Sequence, residues 1–339
     1  MKKLKVAVIG CGRISIMHLS PIRQLSDMAE LVAVCDVKEE LVRECAENYG
    51  VRAYTDYKEL IDREELDAVH ICLPHYLHTE VACYAFRHGV NVLSEKPMDI
   101  SYERGVNAVK VAKECGVLYG VIFQCRYNES AQLVKKRMVD GSLGKVISAR
   151  STLTWSRDDE YYTASDWKGT WDKEGGGVII DQAIHTMDLV NWVIDSEVEN
   201  ITVMMANQNH KIVKVEDTAN GFIKYKNGAH YAFWCMNNYG CDEPIEIRLV
   251  CENGKVVFGY NDAYIDYNDG RHEEAHKPPK LPGQEGKEYW GRTHIKQIRQ
   301  FYNACLGNEE LEISGERVLP LHKLVFDIYE KGGMKPKVD

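Results

Sequence analysis

The stretch Lys5-Val6-Ala7-Val8-Ile9-Gly10-Cys11-Gly12-Arg13-Ile14-Ser15 constrains the fold more than any other part of the chain. A short β-branched run closed by glycine reads as a buried strand, and the residues after it read as a tight turn opening a helix. The rhythm then repeats. Strand-like runs at 30–36, 67–74, 91–97 and 117–123 alternate with helical patterns near 13–25, 38–48, 77–88 and 101–115. Strands alternating with helices fold as a parallel, doubly wound sheet. The first expected domain therefore spans 1–123.

After about residue 125 the rhythm changes. A helix at 128–140 and a strand near 145–155 precede an aromatic segment and a long apolar helix. Strand-like runs then come in series at 198–206, 218–226, 229–236, 245–251, 254–260 and 263–267. Asn227-Gly228 and Asn253-Gly254 are hairpin signals. The expected second domain, 124–339, is α+β, with an open, mainly antiparallel sheet and helices on one face. Residues 268–288, rich in Asp, Gly, Pro and Lys, read as a loop. Helices near 291–306 and 315–331 close the chain, and the last can return to the first domain.

The glycine pattern has a chemical meaning. Gly10 and Gly12 permit a sharp turn and the close approach of backbone to a pyrophosphate, and the helix N-terminus beyond Arg13 and Ile14 offers free N–H groups to phosphate. Ser15 stands where a third glycine is common. Asp36 ends the second strand, where an acid bonds the ribose hydroxyls and repels a 2′-phosphate, so NAD is favoured over NADP. In a parallel sheet ligands bind beyond the carboxyl ends of the strands. Leu73-Pro74-His75 and Glu95-Lys96-Pro97 stand at that edge, with Lys96 as a positive charge beside the cofactor. The Lys96–Pro97 bond is of the kind that can be cis.

A second constellation lies in Gly175-Gly176-Gly177-Val178 to Val193. Asp181, His185 and Asp188 are four and three residues apart and share one side of a helix. Val178, Leu189 and Val193 flank them on one side, and Ile180, Ile184 and Met187 on the other. A helix apolar nearly all round is buried, so the stripe faces an internal cavity. The competing reading is a paired structural ion network.

Composition removes other classes. The net charge of −9 leaves no basic stripe for nucleic acid. No run approaches the roughly 20 apolar residues of a membrane span. Eleven scattered cysteines without a Cys-x-x-Cys pair indicate reduced thiols and a cytoplasmic setting. His272-Glu273-Glu274-Ala275-His276 matches a zinc-protease pattern, but its Gly- and Pro-rich flanks oppose the helix which that chemistry needs. No metal site is expected.

Together the loop Gly10 to Ser15, Leu73-Pro74-His75-Tyr76-Leu77-His78, Glu95-Lys96-Pro97, Gln124-Cys125-Arg126-Tyr127, the three glycines and Asp181 to His185 resemble the Gfo/Idh/MocA oxidoreductases over nearly the whole chain. The resemblance implies a Rossmann domain followed by a substrate and oligomerisation domain. It implies NAD contacts from Gly10, Gly12, Arg13, Ile14, Asp36, Leu73, Pro74, His75, His78, Glu95, Lys96 and Gln124. It places Lys96, Asp181 and His185 at the reaction centre, in agreement with the stripe. His75 stands where many members have asparagine, and Ala183 where many have glycine. Trp155 to Trp171 resembles the loop of members acting on sugars or sugar nucleotides. Tyr161, Tyr162, Trp167 and Trp171 offer stacking faces there; Arg157, Asp158 and Lys168 offer polar contacts. With Arg126, Tyr127 and Trp155 these are the expected substrate contacts, although the segment also reads as a surface loop pinned by aromatics.

The expected reaction is oxidation of a secondary hydroxyl on a sugar, sugar derivative or polyol. His185 is the natural base, with Lys96 stabilising the oxyanion; Lys96 as the base is the alternative. Asp181 holds Lys96 or a substrate hydroxyl, and Asp188 either orients His185 or serves packing. Two rivals stand beside it: a glycoside-cleaving enzyme working through transient ring oxidation, and a non-catalytic NAD-sensing regulator. A homodimer or homotetramer through the second sheet is the expected assembly.

Overall fold

The computed structural model describes residues 3–277 and 293–334. They divide into two compact units. One holds the residues up to Gln124 together with 293–319; the other holds Cys125 to residue 277 together with Pro320 onward. The first unit thus takes back a segment from the end of the chain, beyond the simple boundary at 123 expected from the sequence.

The first unit is built on a six-stranded parallel sheet. Its strands are β1 (Leu4–Ile9), β2 (Ala29–Cys35), β3 (Arg52–Tyr54), β4 (Ala68–Ile71), β5 (Asn91–Ser94) and β6 (Tyr119–Val121), in the order β3-β2-β1-β4-β5-β6. The order reverses direction between β1 and β4, the switch point at which such sheets bind ligands. The central strands are buried almost throughout, as their largely apolar sequences require. Register aligns their ends: Ile9 pairs with Ile71, and Ile71 with Ser94. Gly10, Cys72 and Glu95, the next residues, therefore leave one sheet edge side by side.

Helices α1 (Ile16–Gln24), α2 (Glu39–Tyr49), α3 (Tyr57–Arg63), α4 (His78–Arg87) and α5 (Tyr102–Cys115) connect the strands. Helix α5 shows why such segments start and stop where they do. The Ser101 hydroxyl accepts from the Arg104 amide at 3.4 Å, and Gly116 ends the helix at φ 66°. Strand β3 and helix α3 are additions to the sequence expectation. Helix α9 (His294–Cys305) gives Ile298, Phe301 and Tyr302 to this unit's core, packed with Leu4, Val6 and Leu93. Each is worth about 1.5–3 kcal/mol of burial, which is why this late helix belongs with the first unit.

The second unit is an eight-stranded sheet of β7 (Val146–Thr154), β8 (Val198–Ala206), β9 (Thr218–Tyr225), β10 (His230–Met236), β11 (Glu246–Cys251), β12 (Gly254–Phe258), β13 (Asp262–Tyr267) and β14 (His272–His276). Its order is β14-β13-β12-β11-β7-β10-β9-β8, antiparallel except where β7 meets β10. The expectation of a loop from residue 268 is corrected at β14. The His-Glu-Glu-Ala-His segment forms an edge strand there, because alternating side chains satisfy a strand when a partner, β13, is at hand. Residues 278–288 of that expected loop lie outside the described residues.

Alternation along the strands gives the sheet two faces. Tyr231, Phe233 and Cys235 are buried, while Trp234 between them is 41% exposed. Helices α6 (Glu129–Val139) and α8 (Ile184–Ile194) lie on the buried side. A short helix, α7 (Asp159–Thr163), is a further addition to the expectation. Helix α10 (Gly315–Lys331) crosses from the first group of residues to the second. Among the described residues no helix is long and apolar enough to cross a membrane.

Candidate active site

In the first unit the glycine loop does what its composition demands. Gly10 has φ 98°, and a Cβ there would lie 2.3 Å from the Cys72 carbonyl oxygen. Only glycine lets β1 turn beside β4. Gly12 is exposed and a Cβ there would meet nothing within 4 Å, so the loop keeps an open cradle. Arg13 is exposed and Ile14 half-buried. Ser15 replaces the third glycine without losing the turn, its hydroxyl donating to the Gly12 carbonyl at 2.7 Å. Asp36 accepts from the amides of Cys11 and Lys38, both at 2.9 Å. That pair of bonds fixes the acid next to the loop. An open glycine cradle, a helix N-terminus and a fixed acid fit a dinucleotide with free ribose hydroxyls.

Leu73 and Pro74 are half-buried and His75 is buried at the same edge. His78, expected as a cofactor contact, is buried at this edge. Its Nδ1 lies 2.7 Å from the Pro97 carbonyl and its Nε2 2.8 Å from that of Leu73, so both ring nitrogens tie edge loops together. Glu95 also turns inward. It is 3.1 Å from His18 Nε2 and 3.5 Å from His294 Nε2, while its other oxygen accepts from the Lys96 amide at 3.2 Å. Burial opposes its charge, yet the bonds from the two histidines outweigh burial and hold its carboxyl well below the usual range. His70 continues the chain, 2.8 Å from His18 and 2.9 Å from the Tyr302 hydroxyl. Lys96, half-buried, comes directly after Glu95, and its bond to Pro97 is cis. Gln124 is buried, and its carbonyl accepts from Thr293 at 2.7 Å.

In the second unit the striped helix begins with a π-helical turn, Ile179–Ala183, before α8. Such turns are frequent at functional sites. The expected apolar flanks are buried, Val178, Ile180, Ile184, Met187, Leu189 and Val193 among them. The three polar residues separate. Asp188, 1% exposed, takes a two-pronged bond from Arg126 at 2.8 and 2.6 Å. Arg126, expected as a substrate contact, is thus paired with Asp188, as the structural-pair reading expects. Asp181 and His185 remain half-buried.

Asp181 stands at the centre of a network that the sequence does not reveal. One oxygen accepts from Tyr161 at 2.7 Å, Lys168 at 3.1 Å and Gln182 at 2.9 Å. Lys168 also donates to the Tyr161 hydroxyl at 2.6 Å, and lies over the rings of Tyr161 and Trp167 at 4.4 and 4.6 Å. Burial works against its ammonium, but Asp181, Tyr161 and Glu174 outweigh it and raise its pKa. Glu174 lies 3.5 Å from Lys168; burial drives its own carboxyl up to about 8 against the pull of that cation. Gln182 in turn accepts from Asn237 at 3.0 Å. Gln182, Glu174 and Asn237 carry no pattern that marks them in advance. Tyr161, expected as a stacking face, donates its hydroxyl to Asp181.

Three other expected substrate contacts have partners within the protein. Tyr162 is buried against Val213 and Val215, with its hydroxyl bonded to Asn237 at 2.8 Å. Trp155 is buried and its indole donates to the Glu243 carbonyl at 3.1 Å. Arg157, 8% exposed, pairs with Asp242 at 2.9 Å and packs on Trp155. Tyr127 and Trp167 stay half-buried. Among the described residues no group of three His, Cys, Asp or Glu side chains is arranged to hold a metal.

A dinucleotide cradle on a parallel sheet and an acid–imidazole helix on an open antiparallel sheet define an NAD-dependent oxidoreductase acting on CH–OH groups. The oxidoreductase family profile with an NAD-binding Rossmann fold matches residues 4–123, and the Gfo/Idh/MocA C-terminal domain matches 131–257. The chain belongs to the Gfo/Idh/MocA family. Myo-inositol 2-dehydrogenase of Thermotoga maritima is 26% identical over 326 residues, 84% of this chain and 92% of that protein. The 2,7-anhydro-N-acetylneuraminate hydratase of Mediterraneibacter gnavus is 31% identical over 212 residues, 62% of this chain and 54% of that one. The crystal structure of the WlbA dehydrogenase from Bordetella pertussis, in complex with NADH and UDP-GlcNAcA, superposes with TM-score 0.85 at 28% identity and covers all of both chains.

Proposed function

We propose that this protein oxidises a secondary hydroxyl of a sugar, sugar derivative or polyol, with Lys96, Asp181 and His185 acting on that hydroxyl. The observation carrying the reading is the state of Asp181. Lys168, Tyr161 and Gln182 hold its carboxyl in place one helical turn before a half-buried imidazole. A dinucleotide-binding unit alone does not call for such a constellation.

Bound NAD supplies the hydride acceptor; Gly10, Gly12, the start of α1 and Asp36 are the groups that would hold it. His185 takes the hydroxyl proton as the carbon becomes a carbonyl, since a neutral imidazole is the natural base near neutrality. Lys96 stabilises the negative charge growing on oxygen. Asp181 accepts a hydrogen bond from a neighbouring hydroxyl and fixes the ring. Trp167 and Tyr127 offer apolar faces to it.

The test is NADH formation across inositols, hexoses, glycosides and nucleotide sugars. Net NADH with one of these supports the reading. Release of an aglycone or a hydrated sugar without net NADH would favour the rival with transient ring oxidation, which the hydratase relative keeps in view. NAD binding without turnover of any of them would favour a regulator.

We also propose that two copies associate through the outer face of the eight-stranded sheet. Phe222, Trp234, Val250, Tyr264 and Ile147 expose apolar surface there, each between 40% and 51%. Eleven free cysteines, none in a disulfide, support a reducing, cytoplasmic setting.

A further inference from the structure

The first turn of the helix bearing Asp181 has four amides without helical partners, as every helix does. Here two residues take all four. The Gly177 amide donates to Glu216 Oε2 at 2.9 Å, the Val178 amide to the Glu216 carbonyl at 3.1 Å, and the Ile179 amide to Glu216 Oε1 at 3.1 Å. The Ile180 amide donates to the Tyr329 hydroxyl at 3.3 Å, and that hydroxyl donates to Glu216 Oε1 at 2.8 Å. Glu216 is fully buried, and so is Tyr329.

The glycines before the helix exist for this contact. A Cβ on Gly177 would lie 1.9 Å from the Glu216 carbonyl oxygen, and one on Gly176 would lie 2.0 Å from the Tyr329 hydroxyl. A carboxylate thus occupies the place where a helix N-terminus would otherwise hold a phosphate. Asp181 directly follows Ile180, the last of these four residues.

We infer that Glu216, with Tyr329, is a positioning residue: it sets the π-helical turn that aims Asp181 and His185, and it closes that helix N-terminus to anionic substrates. The inference rests on the proposed dehydrogenase reading only for where its effect is felt. Glu216→Gln keeps the volume but turns a donor toward an amide. Tyr329→Phe removes one hydroxyl. A misplacement of about 1 Å in a reacting group can cost about a hundredfold in rate, so both variants should lose about tenfold or more in kcat. The affinity for NADH should change little. Tyr231→Phe, which breaks the buried 2.7 Å bond to Ser151 elsewhere in the unit, serves as the control and should keep kcat.

A second readout is independent of turnover. The imidazole resonance of His185, assigned through His185→Ala, should move in both variants and stay in the control. If Glu216→Gln folds and keeps kcat within about twofold, with an unmoved His185 resonance, the inference is overturned. Should Glu216→Gln not fold, the same two readouts on Tyr329→Phe decide. If no sugar is oxidised by the parent protein, the functional reading fails first, and the His185 resonance alone judges Glu216.

Discussion

Glu174 is a carboxyl kept almost entirely from water, beside a cation that is itself shared with Asp181. Burial raises its pKa to about 8, and burial likewise raises that of Glu216 to about 7. Both values lie above that of an exposed glutamate, so the folded state holds these protons more tightly than the unfolded one. Their contribution to stability is complete below the unfolded value and is lost as pH rises through about 7 and then about 8. The melting temperature should therefore fall as pH rises from 6 to 8.5, and Glu174→Gln should flatten the upper part of that slope. Equal slopes in the two proteins would contradict the assignment. Arg126 gives a second test. Arg126→Met leaves Asp188 buried without its partner and should cost about 3–5 kcal/mol in denaturant unfolding. The double variant Arg126→Met/Asp188→Leu should recover part of the loss; no recovery would mean that the pair serves something besides packing.

At the scale of elements, the two glycine turns make opposite predictions. Gly12→Ala adds a methyl that meets no protein atom, so stability should hold while NAD affinity falls about tenfold or more. Gly177→Ala drives a Cβ into the backbone of Glu216, which no side-chain rotation relieves. It should destabilise by several kcal/mol, on the order of other core clashes, while NADH affinity of the folded protein is kept. Calorimetry with an NADH titration separates the two. These turns show what a sequence reveals. Glycine loops and long periodic runs announce themselves, because each needs a residue type that few other structures require. Strand β3 and helix α3 do not, being only three and seven residues long with mixed polarity. Strand β14 does not either, since its pairing depends on β13 rather than on its own composition. The π-helical turn is invisible because it arises from Glu216 and Tyr329, distant in the chain.

At the scale of the whole molecule, the parallel sheet, the antiparallel sheet and the family are legible from a handful of motifs. The proposed site is read at Lys96, Asp181 and His185, whose residue types name the chemistry proposed for them. What is not legible is the set of partners that Arg126, Arg157, Trp155 and Tyr162 meet, because these come from remote strands, helices and loops. Self-association belongs to this scale as well. Light scattering should report a dimer or tetramer for the parent protein, and Trp234→Asp with Phe222→Glu should shift it toward monomer. A monomeric parent would remove the proposed sheet interface. The central claim is hydride transfer from a secondary hydroxyl governed by an ammonium and an imidazole. It is met most directly by NADH formation on the best sugar or polyol, comparing the parent with Lys96→Met and His185→Ala. Both variants should bind NADH as the parent does and lose nearly all turnover; oxidation at the parent rate by both would contradict the account.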